Sequence, residues 1–239
     1  MTKLSISILL LVLLTTTAVA QTEAKSPSSG AGLEAVLSAM DKTAANFRST
    51  EADFVWVLYE KVVDSSDTQK GKIYFRRSGN QIQMSAEITE PESERKNVLY
   101  DGKRLRVYQP KIDQVTEYDT SKNRSTVESF LVLGFGGRGH DLQNSFEVSF
   151  QGTENVMGVN ASKLDLVPKT QKGQNIFSHI LLWIDPARGV SVQQQFFEPN
   201  GNYRLAKYSD IKLNQNIPAD MFKLKTTGRT KVVNPGGGF

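Results

Sequence analysis

Lys72-Ile73-Tyr74-Phe75-Arg76-Arg77 is the stretch on which the fold turns. In an extended chain, successive side chains point to opposite faces of a sheet. Lys72, Tyr74 and Arg76 therefore share one face, and Ile73, Phe75 and Arg77 the other. Arg77 continues an apolar row. A guanidinium there needs carbonyl or carboxylate acceptors, because an unpaired charge in an apolar setting is costly. The plainer alternative is an edge arginine whose stem packs on Phe75 while its head reaches water. Downstream, Ile82, Met84, Ala86 and Ile88 alternate with Gln83, Ser85 and Glu87, as in a strand with one apolar face. Residues 98–110 then form a hairpin turning on Asp101-Gly102, a pair that suits a type I′ turn.

Either side of this block the periodicity changes. Leu33, Val36, Leu37, Met40, Ala44 and Phe47 recur at three- and four-residue spacing and predict a helix with one apolar stripe. Residues 54–59 are apolar on both faces of a strand. A second helix is predicted over 125–133, from capping-box spacing at Ser125 and Glu128 to the apolar run Phe130-Leu131-Val132-Leu133. Further strands follow at 146–150, 164–166, 176–184, 192–197 and 203–208, with a tight turn at Asn200-Gly201, a helical turn at 218–222 and a last strand. Helix, strands, helix and more strands predict an α+β fold: a curved, half-closed antiparallel β-barrel covered by helices. The expected layout is a signal peptide at 1–20, a flexible segment at 21–32, one domain at 33–233 and a flexible tail at 234–239.

The motif Gly71-x-Ile73-x-Phe75-Arg76-Arg77, then Asp101-Gly102-Lys103-x-Leu105-x-Val107-Tyr108-x-Pro110, then Asp113-Gln114, resembles the LolA-type periplasmic carriers of outer-membrane lipoproteins. Two positions depart from the family pattern: Ser78 stands where many members have Pro, and Arg106 where an aromatic is common. Strand parity places Ile73, Phe75, Ile82, Met84, Leu105 and Val107 on an apolar cavity wall, with Phe130, Leu131 and Leu133 on the helix above it. Arg77 is the candidate latch, donating to carbonyls of the covering helix. The resemblance implies acylated lipoproteins as cargo, an inner-membrane exporter and an outer-membrane acceptor as partners, a periplasmic location, no cofactor and no enzymatic step. A monomer is expected. The competing readings are a lipid or lipoprotein sensor of the same fold, a glycolipid carrier, a secreted hydrolase and a structural surface protein.

The start of the chain supports export. Lys3, the apolar run from Leu4 to Leu14 and the small-residue site Ala18-Val19-Ala20 form a signal-peptide pattern, and the run is too short for a membrane span of about 20 residues. The chain of 239 residues has no cysteine, so a core without disulfides must hold the exported protein, and no lipid-modified cysteine is expected to anchor it. Its net charge of +4 is mild and scattered, which argues against nucleic acid. Arg76-Arg77, Arg95-Lys96 and Lys103-Arg104-Arg106 read either as a local basic patch or as solvated strand edges.

Several motifs point elsewhere and fail on context. Gly134-Phe135-Gly136-Gly137-Arg138-Gly139 matches G-x-G-x-x-G, but a helix precedes it where a dinucleotide site needs a strand, so a flexible hinge is expected. His140 and His179 are the only histidines and lie in no metal-binding spacing. His179 reads as a hydrogen-bonded structural histidine. No G-x-S-x-G elbow occurs, and Glu90, Glu92 and Glu94 fall on a Pro-containing loop. No catalytic or metal residue is assigned.

Overall fold

A computed structural model describes residues 29–235, apart from 80 and 132. The expected signal peptide, the stretch up to residue 28 and most of the expected tail lie outside the described residues. Helix α1 (Ser29–Ala45) leads into β1 (Ser49–Glu60), β2 (Ser65–Ser78), β3 (Gln81–Glu90), β4 (Lys96–Tyr100), β5 (Arg104–Gln109) and β6 (Gln114–Asp119). Helix α2 (Arg124–Leu131) follows, then β7 (Phe146–Val156), β8 (Val159–Pro168), β9 (His179–Asp185), β10 (Val190–Phe197), β11 (Tyr203–Leu213) and β12 (Lys231–Val233).

All twelve strands form one sheet, in the order β12-β6-β5-β4-β3-β2-β1-β11-β10-β9-β8-β7. Two antiparallel meanders, β1 to β6 and β7 to β11, join where β1 pairs with β11. The outer strands do not pair with each other, so the sheet is a curved, open half-barrel. This topology places the cover. The link from β6 to β7 must travel from one side of the sheet to the far edge, and it carries α2 across the concave face.

Register fixes what that face carries. Arg77 pairs with Ile82, Phe75 with Met84 and Ile73 with Ala86, so the alternation in β2 and β3 meets in apolar cross-strand rows. The opposite, convex face carries charge pairs such as Asp53–Lys72, directly opposite in register and 2.6 Å apart. Over β8 and β9, α1 seals the concave face: Val36, Leu37 and Met40 pack on Leu164, Leu166, Ile180, Leu182 and Ile184, all nearly inaccessible. The segment after β11 covers part of the convex face through Ile217 and Phe222 against Tyr74 and Leu99. Among the described residues, no helix is long and apolar enough to cross a membrane.

Five sequence expectations are corrected. Helix α1 begins at Ser29, inside the segment expected to be flexible, because Gly32 lets the first turn approach Phe150; a Cβ there would lie 2.6 Å from the ring. Helix α2 ends at Leu131, so Leu133 is not helical; it is buried against the α1 cluster. The Asp101-Gly102 turn is not type I′, which needs positive φ at both central residues. Only Gly102 has it (φ +94°), while Asp101 Oδ1 accepts the backbone N–H groups of Lys103 and Arg104 at 3.0 and 2.9 Å. The strand expected at 176–184 starts at His179, because Thr170 caps a short helical turn over Gln171–Gln174 by accepting the Gly173 N–H. Finally, β12 pairs parallel with β6. Asp113 fixes that return by accepting hydrogen bonds from Thr227 and Thr230 at 2.5 and 2.6 Å, and Tyr108 adds a third at 3.1 Å.

Candidate functional site

One cross-sheet row shows how the site forms. Leu164, Leu182, Gln194, Ala206, Trp56 and Gln69 follow each other in register from β8 to β2 on the concave face. The β8–β9 end of the row is filled by leucines beneath α1. At its centre stand Gln194 and Ala206, followed by Trp56 and Gln69, and α2 passes overhead without filling the space. The result is a cavity of about 410 Å³ lined by Trp56, Leu58, Ile73, Phe75, Met84, Phe130, Leu131, Phe177, Phe196, Ala206 and Tyr208, among others. That size falls within the roughly 300–1,000 Å³ of small-molecule sites.

Of the residues expected on the wall, Ile73, Phe75 and Met84 line the cavity, and so do Phe130 and Leu131 from α2. Ile82 faces the same way but is buried in the core beside it, and Leu105 packs against that core from the next strand pair. Val107 shares the concave parity, opposite Val98, one strand further out. Leu133 and Arg77 are not on the wall. The far wall from β10 and β11 was not legible in the sequence, because β1 is apolar on both faces and its pairing with β11 bridges a long sequence separation.

Gln69, Gln194 and Tyr208 are the buried polar side chains of the wall among the described residues. The Tyr208 hydroxyl donates to Gln194 Oε1 at 3.2 Å, and Gln194 Nε2 donates to the Leu133 carbonyl. Burial raises the Tyr208 phenol well above its ordinary pKa, so it stays a neutral donor. Lys96 and Arg204 stand at the margin; Arg204 pairs with Glu198 at 2.9 Å.

The cover is fastened at several points. Tyr100 donates to Glu128 of α2 at 3.3 Å, and its pKa is raised to about 12, first by burial and then by that carboxylate. Val127 and Leu131 pack down onto the core, and Phe130 meets Phe146 and Phe177 edge-on. The glycine-rich stretch after α2 is not the expected flexible hinge. Phe135 is buried, stacked on Phe75 and edge-on to Tyr208. Gly134 and Gly136 have φ +77°, and a Cβ at Gly136 would lie 2.4 Å from Phe47. Glycine is required there for close approach.

The carbonyls of this stretch find donors from the sheet: Ser191 N–H reaches Gly134 at 2.8 Å, and an Arg77 guanidinium N–H reaches Gly136 at 3.0 Å, in the stretch beyond α2 rather than on a carbonyl of the covering helix as expected. Arg77 also lies 6.0 Å from the Phe47 ring centroid, though its side chain is largely exposed. At the other end, His140 Nδ1 meets Asp41 of α1 at 2.6 Å and Nε2 meets Glu34 at 3.2 Å. His179 bonds Asp165 at 2.9 Å and stacks on Phe197. Among the described residues, no three of His, Cys, Asp and Glu are placed to share a metal ion.

The family model described as outer membrane lipoprotein carrier protein LolA matches residues 45–225. The chain belongs to the LolA family. No curated protein matches significantly. Among solved structures, an uncharacterized conserved protein from Thermus thermophilus is similar at TM-score 0.54 and 13% identity, over 84% of this chain and 98% of that one. The Mycobacterium tuberculosis lipoprotein LppX is similar at TM-score 0.47 and 12% identity, over 81% and 100% of the two chains. The Pseudomonas aeruginosa MucA/MucB complex gives TM-score 0.46 and 14% identity, over 81% of this chain and 60% of that one. The family match and the open twelve-stranded sheet establish the LolA-type half-barrel for this chain.

Proposed function

We propose that the protein is a periplasmic carrier that shelters acyl chains of a lipoprotein in the cavity beneath α2 and passes them toward the outer membrane. The observation that carries this reading is an apolar cavity of about 410 Å³ between sheet and helix, in a member of the LolA family. Each CH₂ moved from water to such a wall gains about 0.8 kcal/mol, so even one chain supplies ample gross drive. No bond is made or broken and no cofactor takes part. The expected partners are an inner-membrane exporter that loads the carrier and an outer-membrane acceptor that empties it. Export with cleavage after Ala20 and a monomeric carrier belong to the same reading.

A carrier must also release. In this reading Arg77 is a latch: its hydrogen bond to Gly136 holds the stretch whose Phe135 packs on the wall residues Phe75 and Tyr208, and loading costs that contact. Charge-assisted hydrogen bonds contribute about 1.5–3 kcal/mol when sheltered, and an exposed donor less. The test is to purify the native protein from its own periplasm and identify co-purifying lipid by mass spectrometry, then follow transfer of a labelled lipoprotein to membranes. Acylated peptide in the purified protein, and its movement to acceptor membranes, is expected. Glycolipid alone, or cargo that never transfers, would replace this reading with a glycolipid carrier or a sensor.

A further inference from the structure

We propose that the cleft at the end of β2 is a binding site for a phosphate group. The cleft, about 310 Å³, is lined by Arg48, Arg76 and Arg77 together with Ser49, Ile217 and the amide run Asn214-Gln215-Asn216. Arg76 and Arg77 face opposite sides of the sheet along the strand. At the rim both line one cleft, together with Arg48 from the α1–β1 connection.

These three arginines have no acid partner among the described residues. Arg95, Arg104, Arg106, Arg124, Arg188 and Arg204 each hold a carboxylate within 3.3 Å. Among the described residues, no carboxylate pairs with Arg48, Arg76 or Arg77. Arg76 is held by neutral groups: its Nε donates to Gln83 Oε1 at 2.6 Å, and its guanidinium carbon lies 4.0 Å from the Phe222 ring centroid. Arg77 uses an N–H on the Gly136 carbonyl, leaving most of its five donors available. On the face that Arg76 occupies, Glu51 lies near Lys72 and Lys212, at 3.8 and 3.7 Å.

The opposite wall is fixed in advance. Asn214 sits at φ +58°, its Oδ1 accepts the Arg48 N–H at 2.8 Å, and its own N–H donates to the Ser49 carbonyl at 2.8 Å. The Ser49 hydroxyl donates to the Gln215 carbonyl at 2.6 Å. Three uncompensated guanidiniums repel one another unless an anion joins them, and a single carboxylate brings one charge and two oxygens. Phosphate offers several oxygens in the geometry that guanidinium forks bind bidentately. The site is separate from the cavity and does not rest on the carrier reading.

The test titrates the purified full chain, at low ionic strength, with pyrophosphate, with inorganic phosphate, and with phosphatidylcholine vesicles with and without phosphatidylglycerol. R48Q and R76Q should each weaken binding about tenfold, and R104Q, on a paired arginine elsewhere, should leave it unchanged. Arg48 is exposed and has no side-chain partner among the described residues, so R48Q reports on binding even if R76Q perturbs the fold. Binding of the soluble probes with this arginine dependence identifies a free-phosphate site, and binding of phosphatidylglycerol vesicles alone identifies a headgroup site. No binding of any phosphate probe, or equal binding by R48Q and wild type, would overturn the proposal.

Discussion

Two helices lie on the same concave face, and they differ in what they leave beneath them. Helix α1 closes onto leucines and isoleucines of β8 and β9 with almost no accessible surface. Helix α2 crosses the middle of the sheet with Val127, Phe130 and Leu131 only partly buried, and a cavity remains under it. The cross-sheet row from Leu164 to Gln69 shows why: leucine gives way to Gln194 and Ala206 where α2 passes. The first region supplies stability. The second gives up packing to keep a space.

The largest effect should separate the two regions directly. Leu182→Ala under α1 should cost toward the upper end of the roughly 2–5 kcal/mol seen for buried truncations, and Met84→Ala on the cavity wall at or below the lower end. Urea unfolding measures both; equal losses would mean that the cavity region is packed as tightly as the α1 region. Next in size is a charge in the space itself. Leu131→Glu should weaken binding of an acylated fluorescent probe by about tenfold or more, because the cargo or the carboxylate must then be left poorly solvated. The circular dichroism should match wild type. Unchanged affinity in the folded variant would move cargo out of this cavity.

A smaller effect is expected at the strap between the two helices. If the Arg77 contact with Gly136 exists only while the cavity is unloaded, Arg77→Leu should favour the loaded form. Transfer of a labelled lipoprotein should slow by about threefold to tenfold per folded molecule, since the donor is exposed and its bond contributes less than a sheltered one. Arg104→Gln, on the opposite face, should leave transfer unchanged. Equal transfer by wild type and Arg77→Leu would make Arg77 structural.

How much of this was legible depends on the range of the interaction. Parity in 72–88 places Ile73, Phe75, Arg77, Ile82 and Met84 on one face, because a period of two is a local property of the chain. The helical stripe from Leu33 to Phe47 is equally local. The far cavity wall is set by Trp56 meeting Ala206 and Phe54 meeting Tyr208, pairings that no nearby residue announces. The glycine-rich stretch misled for a related reason. Glycine marks either freedom or close approach, and only Phe47 and Ser191, distant in sequence, decide for close approach. Asp113 belongs to the family motif, yet its work is to tie down a segment more than a hundred residues later.

The smallest effect concerns pH and the joint between α1 and the end of the glycine-rich stretch. His140 is held above its ordinary pKa of 6.5 by its hydrogen bonds to Asp41 and then Glu34. Glu34 lies below 4.5 through its bond to His140 and then Ser38. At Asp41, burial pushes the carboxyl up, but the side-chain and backbone bonds from His140 outweigh it and leave the pKa below 3.8, with Arg138 adding to the lowering. A raised histidine contributes stability that is fully present below its unfolded value and lost as pH rises through its folded value. Lowered carboxylates contribute stability above their unfolded values and lose it as pH falls through their folded ones. The joint is therefore strongest between the carboxylate range and about pH 6.5, and weakens above that. The unfolding midpoint of wild type should fall slightly from pH 6 to pH 8 relative to His140→Gln, whose midpoint should lack this component. Parallel pH profiles would show that His140 does not hold α1 to the glycine-rich stretch in solution, which would leave packing and the longer Arg138–Asp41 pair, at 3.9 Å, as the link between them.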